Sequence, residues 1–263
     1  MKFSNLPLSK EMLHNLNEIG YKEMTPIQAE ALPYILDGKD VIAQAKTGSG
    51  KTAAFGIGVL TKLQVKKFRV QSLVLCPTRE LADQVAKELR MLARATHNVK
   101  ILTLCGGAAF GPQLGSLRHG AHIIVGTPGR ILKHLKKETL SLEDLDMLVL
   151  DEADRMLDMG FIDDVEMIID ECPVDRQTML FSATVSKDIQ YLSSKYMNNP
   201  PKVFAKAYVD SDKLKQVYVD VPKKMKFSLL VHLLKSEKSG LVMVFCNTRS
   251  NVDFVQKNLR KLL

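Results

Sequence analysis

The chain has 263 residues, 46% of them hydrophobic and 25% charged, which suits a globular protein of one to two domains and excludes disordered or miniature scaffolds. No run approaches the ~18 consecutive apolar residues of a membrane span, and the opening MKFSNLPLSKEML lacks the pattern of a secretory leader, so a cytoplasmic protein is expected. The formal charge is +8, but residues 206 to 263 hold 12 Lys or Arg against 5 Asp or Glu, leaving 25 against 24 in residues 1 to 205; such an excess suits a polyanion and equally describes a solvated face.

In chain order, residues 9–19 and 26–36 read as helices, 40–43 as a short apolar strand, 52–63 as a helix, 72–76 as a strand and 79–95 as a helix. Strands follow at 100–104 and 122–125, a helix at 129–135, and strands at 147–150 and 178–181. Within 79–95, Leu81, Val85, Leu89 and Leu92 share one face while Asp83, Lys87 and Arg90 lie largely elsewhere. Continuously apolar strands alternating with helices predict an α/β fold, a parallel sheet with helices on both faces and ligands at the carboxyl ends of its strands. Asn198-Asn199-Pro200-Pro201 ends a helix. A first domain over 1–205 and a charged linker over 206–215 are expected. Beyond lie a strand at 216–221, a helix at 223–234, a strand at 241–246 and a helix from Ser250. An independent α/β domain usually needs ~100 residues, so 216–263 is expected to be an incomplete second lobe. Cys76, Cys105, Cys172 and Cys246 form no CxxC pair and have no histidine at zinc-finger spacing, which predicts reduced, non-ligand thiols.

The strongest chemical signal is Ala45-Lys46-Thr47-Gly48-Ser49-Gly50-Lys51-Thr52, between a strand and a helix. Gly48 and Gly50 let the backbone turn its amides inward around a phosphate, Lys51 reaches the β and γ phosphates, and Thr52 is placed to ligate Mg²⁺. Ala45 stands where the phosphate-loop template commonly has Gly. Leu148-Val149-Leu150-Asp151-Glu152 supplies the acids such a loop needs: Asp151 for Mg²⁺ and Glu152 to orient or deprotonate the attacking water. An isolated Asp-Glu at a strand end would serve equally as a helix cap.

Asp151-Glu152-Ala153-Asp154 resembles the signature of the DEAD-box ATP-dependent RNA helicases, and further stretches resemble that family's motifs in order. Gly20-Tyr21-Lys22-Glu23-Met24-Thr25-Pro26-Ile27-Gln28 is similar to its adenine-recognising Q motif, with Tyr21 where Phe is more usual. The resemblance implies that Gln28 reads the adenine edge, that Tyr21, Lys22 and Thr25 line the same site, and that Phe3 stacks on the base. Pro77-Thr78-Arg79-Glu80-Leu81, Gly106-Gly107 and Thr127-Pro128-Gly129-Arg130 resemble the RNA-contacting motifs of the first lobe, with Pro77, Thr78, Arg79, Gly107, Thr127, Pro128, Gly129 and Arg130 as contacts. Ser182-Ala183-Thr184 resembles the motif that couples hydrolysis to strand separation through Asp154, Ser182 and Thr184. Val244-Phe245-Cys246-Asn247-Thr248 resembles the first motif of the second lobe, with Asn247 and Thr248 as RNA contacts.

Taken singly, these segments also read as helix starts, caps and turns. Together the resemblance implies a RecA-like first lobe with the beginning of a second, ATP and Mg²⁺ as cofactors and RNA as partner. Residues 45–55, 75–88 and 102–113 are similar to the bacterial DbpA type, whose members target ribosomal RNA. The family's later second-lobe motifs, including the arginine finger, have no counterpart before Leu263, which implies that this chain binds nucleotide but hydrolyses it slowly, since a missing finger costs ~10³ to 10⁵ in rate. A non-catalytic, ATP-gated RNA clamp is the alternative, and a phosphate-loop ATPase acting on DNA or protein is a third reading.

Overall fold

The computed structural model describes residues 1–204, 217–236 and 240–262, and its contacts divide the chain into two units, Met1–Ala207 and Tyr208–Leu263. In the first, seven strands, β1 (Val41–Gln44), β2 (Ser72–Leu75), β3 (Ile101–Leu104), β4 (Ile123–Gly126), β5 (Met147–Leu150), β6 (Gln177–Ser182) and β7 (Lys202–Phe204), form one sheet in the order β3-β4-β2-β5-β6-β1-β7. Every neighbouring pair is parallel. The extended segment expected after Pro201 is the edge strand β7.

Because side chains alternate across a strand, the sheet feeds two cores. Val41, Ala43, Val74, Val125, Val149, Met179 and Phe181 face one side, covered by α1 (Lys10–Glu18), α2 (Pro26–Leu36), α3 (Lys51–Lys62) and α4 (Arg79–Leu92). Ile42, Leu73, Leu75, Ile124, Leu148, Leu150 and Leu180 face the other. That side packs on α6 (Pro128–Leu135), α7 (Ala153–Asp158), α8 (Ile162–Asp170) and α9 (Lys187–Tyr196), while α5 (Phe110–Arg118) has no fully buried residue. Burying each such aliphatic side chain is worth about 1.5–3 kcal/mol, so strands only four residues long hold their register.

Helix α3, whose amino terminus opens at the phosphate loop, is buried from Lys51 to Leu60. Two glycines permit this. A Cβ on Gly58 would lie 2.2 Å from Ile35 Cγ2, and one on Gly56 2.7 Å from Leu92 Cδ1, so α2 and α4 can close on α3 only if those positions are bare.

At the amino ends of β1 and β6, Asp40 accepts hydrogen bonds from the amides of Thr178 at 2.6 Å and Asn198 at 2.7 Å. A cleft of about 580 Å³ lies there, lined in part by Gly38, Asp40, Arg176 and Asn198. Val174 on its rim is 93% exposed. This edge is opposite to the one at which the first unit's motif loops emerge.

In the second unit, α10 (Lys226–Ser236) and α11 (Arg249–Leu259) form where helices were expected. The two expected strands do not. Residues 217–221 and 241–246 have no strand assignment, because a strand exists only with a ladder partner and none pairs with them among the described residues. Gln216 and the expected linker, 206–215, lie outside the described residues. Leu241, Met243 and Phe245 are accordingly 85%, 75% and 89% exposed. Among the described residues no helix is long and apolar enough to cross a membrane.

Candidate active site

Strands β5, β6 and β1 are neighbours, and from their carboxyl ends emerge Asp151-Glu152, Ser182-Ala183-Thr184 and the phosphate loop. Gly48 and Gly50 adopt φ of +81° and +88°, the left-handed region that side chains disfavour. Ala45 is 2% exposed and its amide bonds Ser182 O at 2.8 Å; it continues β1 inside the core, where a methyl group is accommodated in place of the template's glycine. Ser49 Oγ donates to Lys46 O at 2.7 Å, which stiffens the loop.

The Q-motif residues bear on that loop directly. Gln28 accepts from the Thr25 amide at 2.9 Å and donates to Gly50 O at 2.9 Å, and a Cβ on Gly50 would sit 2.5 Å from its Nε2. Gln28, 1% exposed, thus spends one N–H and one oxygen lone pair on the protein and keeps one of each. Thr25 Oγ1 is buried beside Gly50 without a hydrogen-bond partner. Lys22 is exposed. Tyr21 Oη donates to Glu88 Oε1 at 3.0 Å, and burial, with the Glu88 charge, pushes its phenol up to about 12. Phe3, expected to stack on the base, is 3% exposed with its ring edge-on to Tyr21 at 6.3 Å, and it joins the core cluster that holds Met12 and Leu16.

Lys51 Nζ lies 3.0 Å from Asp151 Oδ1 and 3.6 Å from Glu152 Oε1, all three side chains being buried. Glu152 Oε1 also accepts from Thr47 Oγ1 at 2.7 Å, and Oε2 from Arg155 Nη1 at 3.0 Å. Burial works to raise the Glu152 carboxyl, but Thr47, Lys51 and Arg155 outweigh it and hold it below its ordinary value. For Asp151, burial prevails over Lys51 and raises it. Glu152 takes φ of +51°, a conformation costing a non-glycine residue about 1–3 kcal/mol, which aims its carboxylate back at the loop. Asp151 Oδ2 has no hydrogen-bond partner. An orphaned, buried carboxylate oxygen, together with the buried hydroxyl of Thr52, is donor chemistry that fits Mg²⁺.

Across β5 and β6, Asp154 Oδ2 accepts from the amides of Ala183 at 3.1 Å and Thr184 at 2.9 Å and from Thr184 Oγ1 at 3.1 Å. Ser182 Oγ accepts from the Asp154 amide at 3.3 Å and donates to Thr184 O at 2.7 Å. The three coupling residues form one hydrogen-bonded knot.

The remaining motif loops leave the other half of the sheet, β2, β4 and β3. Pro77 is buried, and Thr78 caps α4 by accepting from the Leu81 amide at 3.3 Å. The exposed Arg79 reaches Gly107, whose φ of +77° favours glycine and whose built Cβ would lie 3.2 Å from Arg79 Nη1. Thr127 Oγ1 accepts from the Gly106 amide at 3.4 Å, Pro128 is buried and Gly129 is exposed. The Arg130 guanidinium donates to Gln113 Oε1 at 2.7 Å and to Ala108 O at 2.9 Å, which makes it a strut between α6 and the start of α5. Asn247 and Thr248 belong to the second unit, where Thr248 Oγ1 caps α11 by accepting from the Asn251 amide at 3.2 Å.

Two residues of the site were not singled out from sequence. Arg155 follows Glu152 at i+3, a spacing that itself signals a helical ion pair. Glu88 lies between Val85, Leu89 and Leu92 on the apolar face of α4, where a lone carboxylate marks a buried partner.

A phosphate loop, a buried lysine and acid pair, and a serine-threonine knot on one edge of a parallel sheet define a RecA-like nucleotide-binding domain. Residues 25–192 match the DEAD/DEAH box helicase family, and the chain belongs to that family. It is 52% identical over 248 residues to the ATP-dependent RNA helicase DbpA of Escherichia coli K12, covering 94% of this chain and 54% of that protein. It is 45% identical over 252 residues to the DEAD-box ATP-dependent RNA helicase CshA of Geobacillus kaustophilus, with 95% and 54% covered. Among solved structures, a DEAD box protein from the hyperthermophile Methanococcus jannaschii superposes with a TM-score of 0.76 at 40% identity, covering all of this chain and 70% of that one. The chain spans about half the length of the curated relatives it matches.

Proposed function

We propose that this chain is the nucleotide-holding part of an ATP-dependent RNA helicase, which hydrolyses ATP to separate short RNA duplexes or remodel ribonucleoproteins. The observation that carries the reading is the buried Lys51, Asp151 and Glu152 cluster beneath a glycine loop, with Asp151 Oδ2 left unpartnered. In this reading the amides of residues 47–52 and the α3 amino terminus hold the phosphates. Lys51 exchanges its carboxylate partners for phosphate oxygens, and Thr52 and Asp151 hold Mg²⁺, which when bound neutralises charge on the phosphates. Released from Lys51, Glu152 keeps Arg155 as its orienting partner and accepts the proton of the attacking water. Thr25 and Gln28 face the nucleotide across Gly50, while Asp154, Ser182 and Thr184 transmit changes at β5 to β6.

RNA contacts through Thr78, Arg79, Gly107, Thr127 and Gly129 rely on backbone amides, hydroxyls and one guanidinium, chemistry that follows a phosphate chain without reading bases. Ribosomal RNA is the target that the relation to DbpA suggests, in the cytoplasm, whose reducing conditions suit the free Cys76, Cys105 and Cys172. By itself the 263-residue chain is proposed to bind nucleotide and turn it over slowly. The retained Glu152 favours an enzyme over a passive clamp.

The test is nucleotide titration and ATP hydrolysis with and without single-stranded RNA, with Lys51→Ala as control. Nucleotide binding that the control lacks supports the reading. Absence of nucleotide binding, or preference for matched DNA over RNA, overturns it.

A further inference from the structure

Helix α6 starts at the Thr127-Pro128-Gly129 turn and carries the exposed Lys133 in its last turn, with the exposed Lys136 at its C-cap and Lys137 in the turn that follows. All three lie on one groove of about 320 Å³, which Gly129, Leu132 and Asp164 of α8 also line. Residues 128–137 hold four cations and no acid, whereas residues 1–205 as a whole are nearly balanced. None of the three lysines makes an ion pair among the described residues. Like charges at helical spacing repel one another, and a groove that gathers them around a single carboxylate stays net positive.

We propose that this lysine face of α6 is a phosphate track, carrying a single RNA strand onward from the Thr127–Gly129 turn. The inference rests on the RNA reading above and extends it to residues outside the family-like motifs. Arg130 is committed to Gln113 and Ala108 O, so the cations free to meet phosphate on this face are the lysines. Lys133 and Lys137 lie 5.4 and 5.8 Å from the centre of the Phe110 ring. That ring is fixed by stacking on His134 at 4.3 Å and 14°. Cation–π contact orders the two ammonium groups beside the groove they help to line without neutralising them, leaving less freedom to lose on binding. Gly129, exposed and without a side chain, joins the groove to the edge where Arg79 and Gly107 lie.

The test uses this chain with a non-hydrolysable ATP analogue and fluorescent single-stranded RNAs of about 6 and about 14 nucleotides, followed by anisotropy across a salt series. Each phosphate neutralised in a single strand contributes ~0.7 to the slope of log affinity against log salt. The triple variant Lys133→Gln, Lys136→Gln, Lys137→Gln is expected to lose about two from that slope on the longer RNA and at least ~10-fold in affinity at low salt. The shorter RNA and the nucleotide should bind unchanged, and the triple Lys→Arg variant should retain the wild-type slope. An unchanged slope on the longer RNA, an equal loss on both lengths, or no gain with length in the wild type overturns the track. Failure of the wild type to bind either RNA overturns the RNA reading itself.

Discussion

Lys51 illustrates how one side chain serves both folding and chemistry. Its ammonium neutralises Asp151, which is wholly buried, and removing one partner of a buried pair leaves the other uncompensated at a cost of about 3–5 kcal/mol. Lys51→Ala is expected to lower stability by roughly that amount in urea unfolding, and Asp151→Asn added to it to restore part of the loss. A strictly additive double variant would show that the pair does not couple. His134 offers a second test. Its ring is buried against Phe110, with Nδ1 2.9 Å from Thr139 Oγ1 and Nε2 donating to Gln113 Oε1 at 3.1 Å. Burial, reinforced by the Arg130 and Lys133 charges, pushes it down from 6.5 to about 4. The unfolded chain therefore takes up a proton near 6.5 that the folded chain refuses until about 4. The stabilisation is complete above pH 6.5 and declines as pH falls toward 4, by at most ~3 kcal/mol. His134→Gln should flatten the dependence of the urea midpoint between pH 7 and 5; an unaltered slope would assign it to other groups.

At the scale of elements, the close approach of α2 and α3 makes Gly58 a sensitive position. Alanine would ordinarily favour a helix by about 1 kcal/mol over glycine. Here the new methyl would meet the branched carbon Cγ2 of Ile35 at 2.2 Å, and overpacking at about 1–3 kcal/mol wins. Gly58→Ala is expected to lower the thermal midpoint and Ile35→Leu, which removes that methyl, to rescue it; a stabilised single variant would refute the packing argument. The strands, α2, α4 and α6 were legible in the sequence because apolar runs and helical spacing are local signals. So were the phosphate loop and Asp151-Glu152, whose glycines, lysine and acids announce their chemistry. Helix α5 was missed because Gly111, Pro112 and Gly115 read as loop and none of its residues is fully buried. The burial of Phe3, the contacts of Arg130 and the missing strand at 241–246 were not legible for one shared reason: each is decided by a partner distant in the chain, respectively Tyr21, Ala108 with Gln113, and a ladder neighbour that the described residues do not provide.

Across the first unit the proposed roles divide the sheet, with the phosphate loop and acid pair on β5, β6 and β1 and the loops that resemble RNA-contacting motifs on β2, β4 and β3. The backbone pairing of β2 with β5 is the seam between them. The thiols report on the two units separately. Burial pushes Cys105 up to about 11, Cys172 to about 12 and Cys76 well above its ordinary value, whereas Cys246, in the second unit, is only half-buried. Iodoacetamide at pH 8 is expected to label Cys246 first, with the other three reacting only in urea, as mass spectrometry of the modified peptides would show; early labelling of Cys172 would contradict the buried α8 face. The amino-terminal edge of the sheet has a practical consequence. Val174 stands clear of the surface on the edge away from the first unit's motif loops, so a cysteine introduced there after replacing Cys246 would accept a fluorophore or a surface tether while leaving that unit's proposed nucleotide and RNA faces open. A single-molecule experiment could thus watch the working edge with the protein anchored by its idle one.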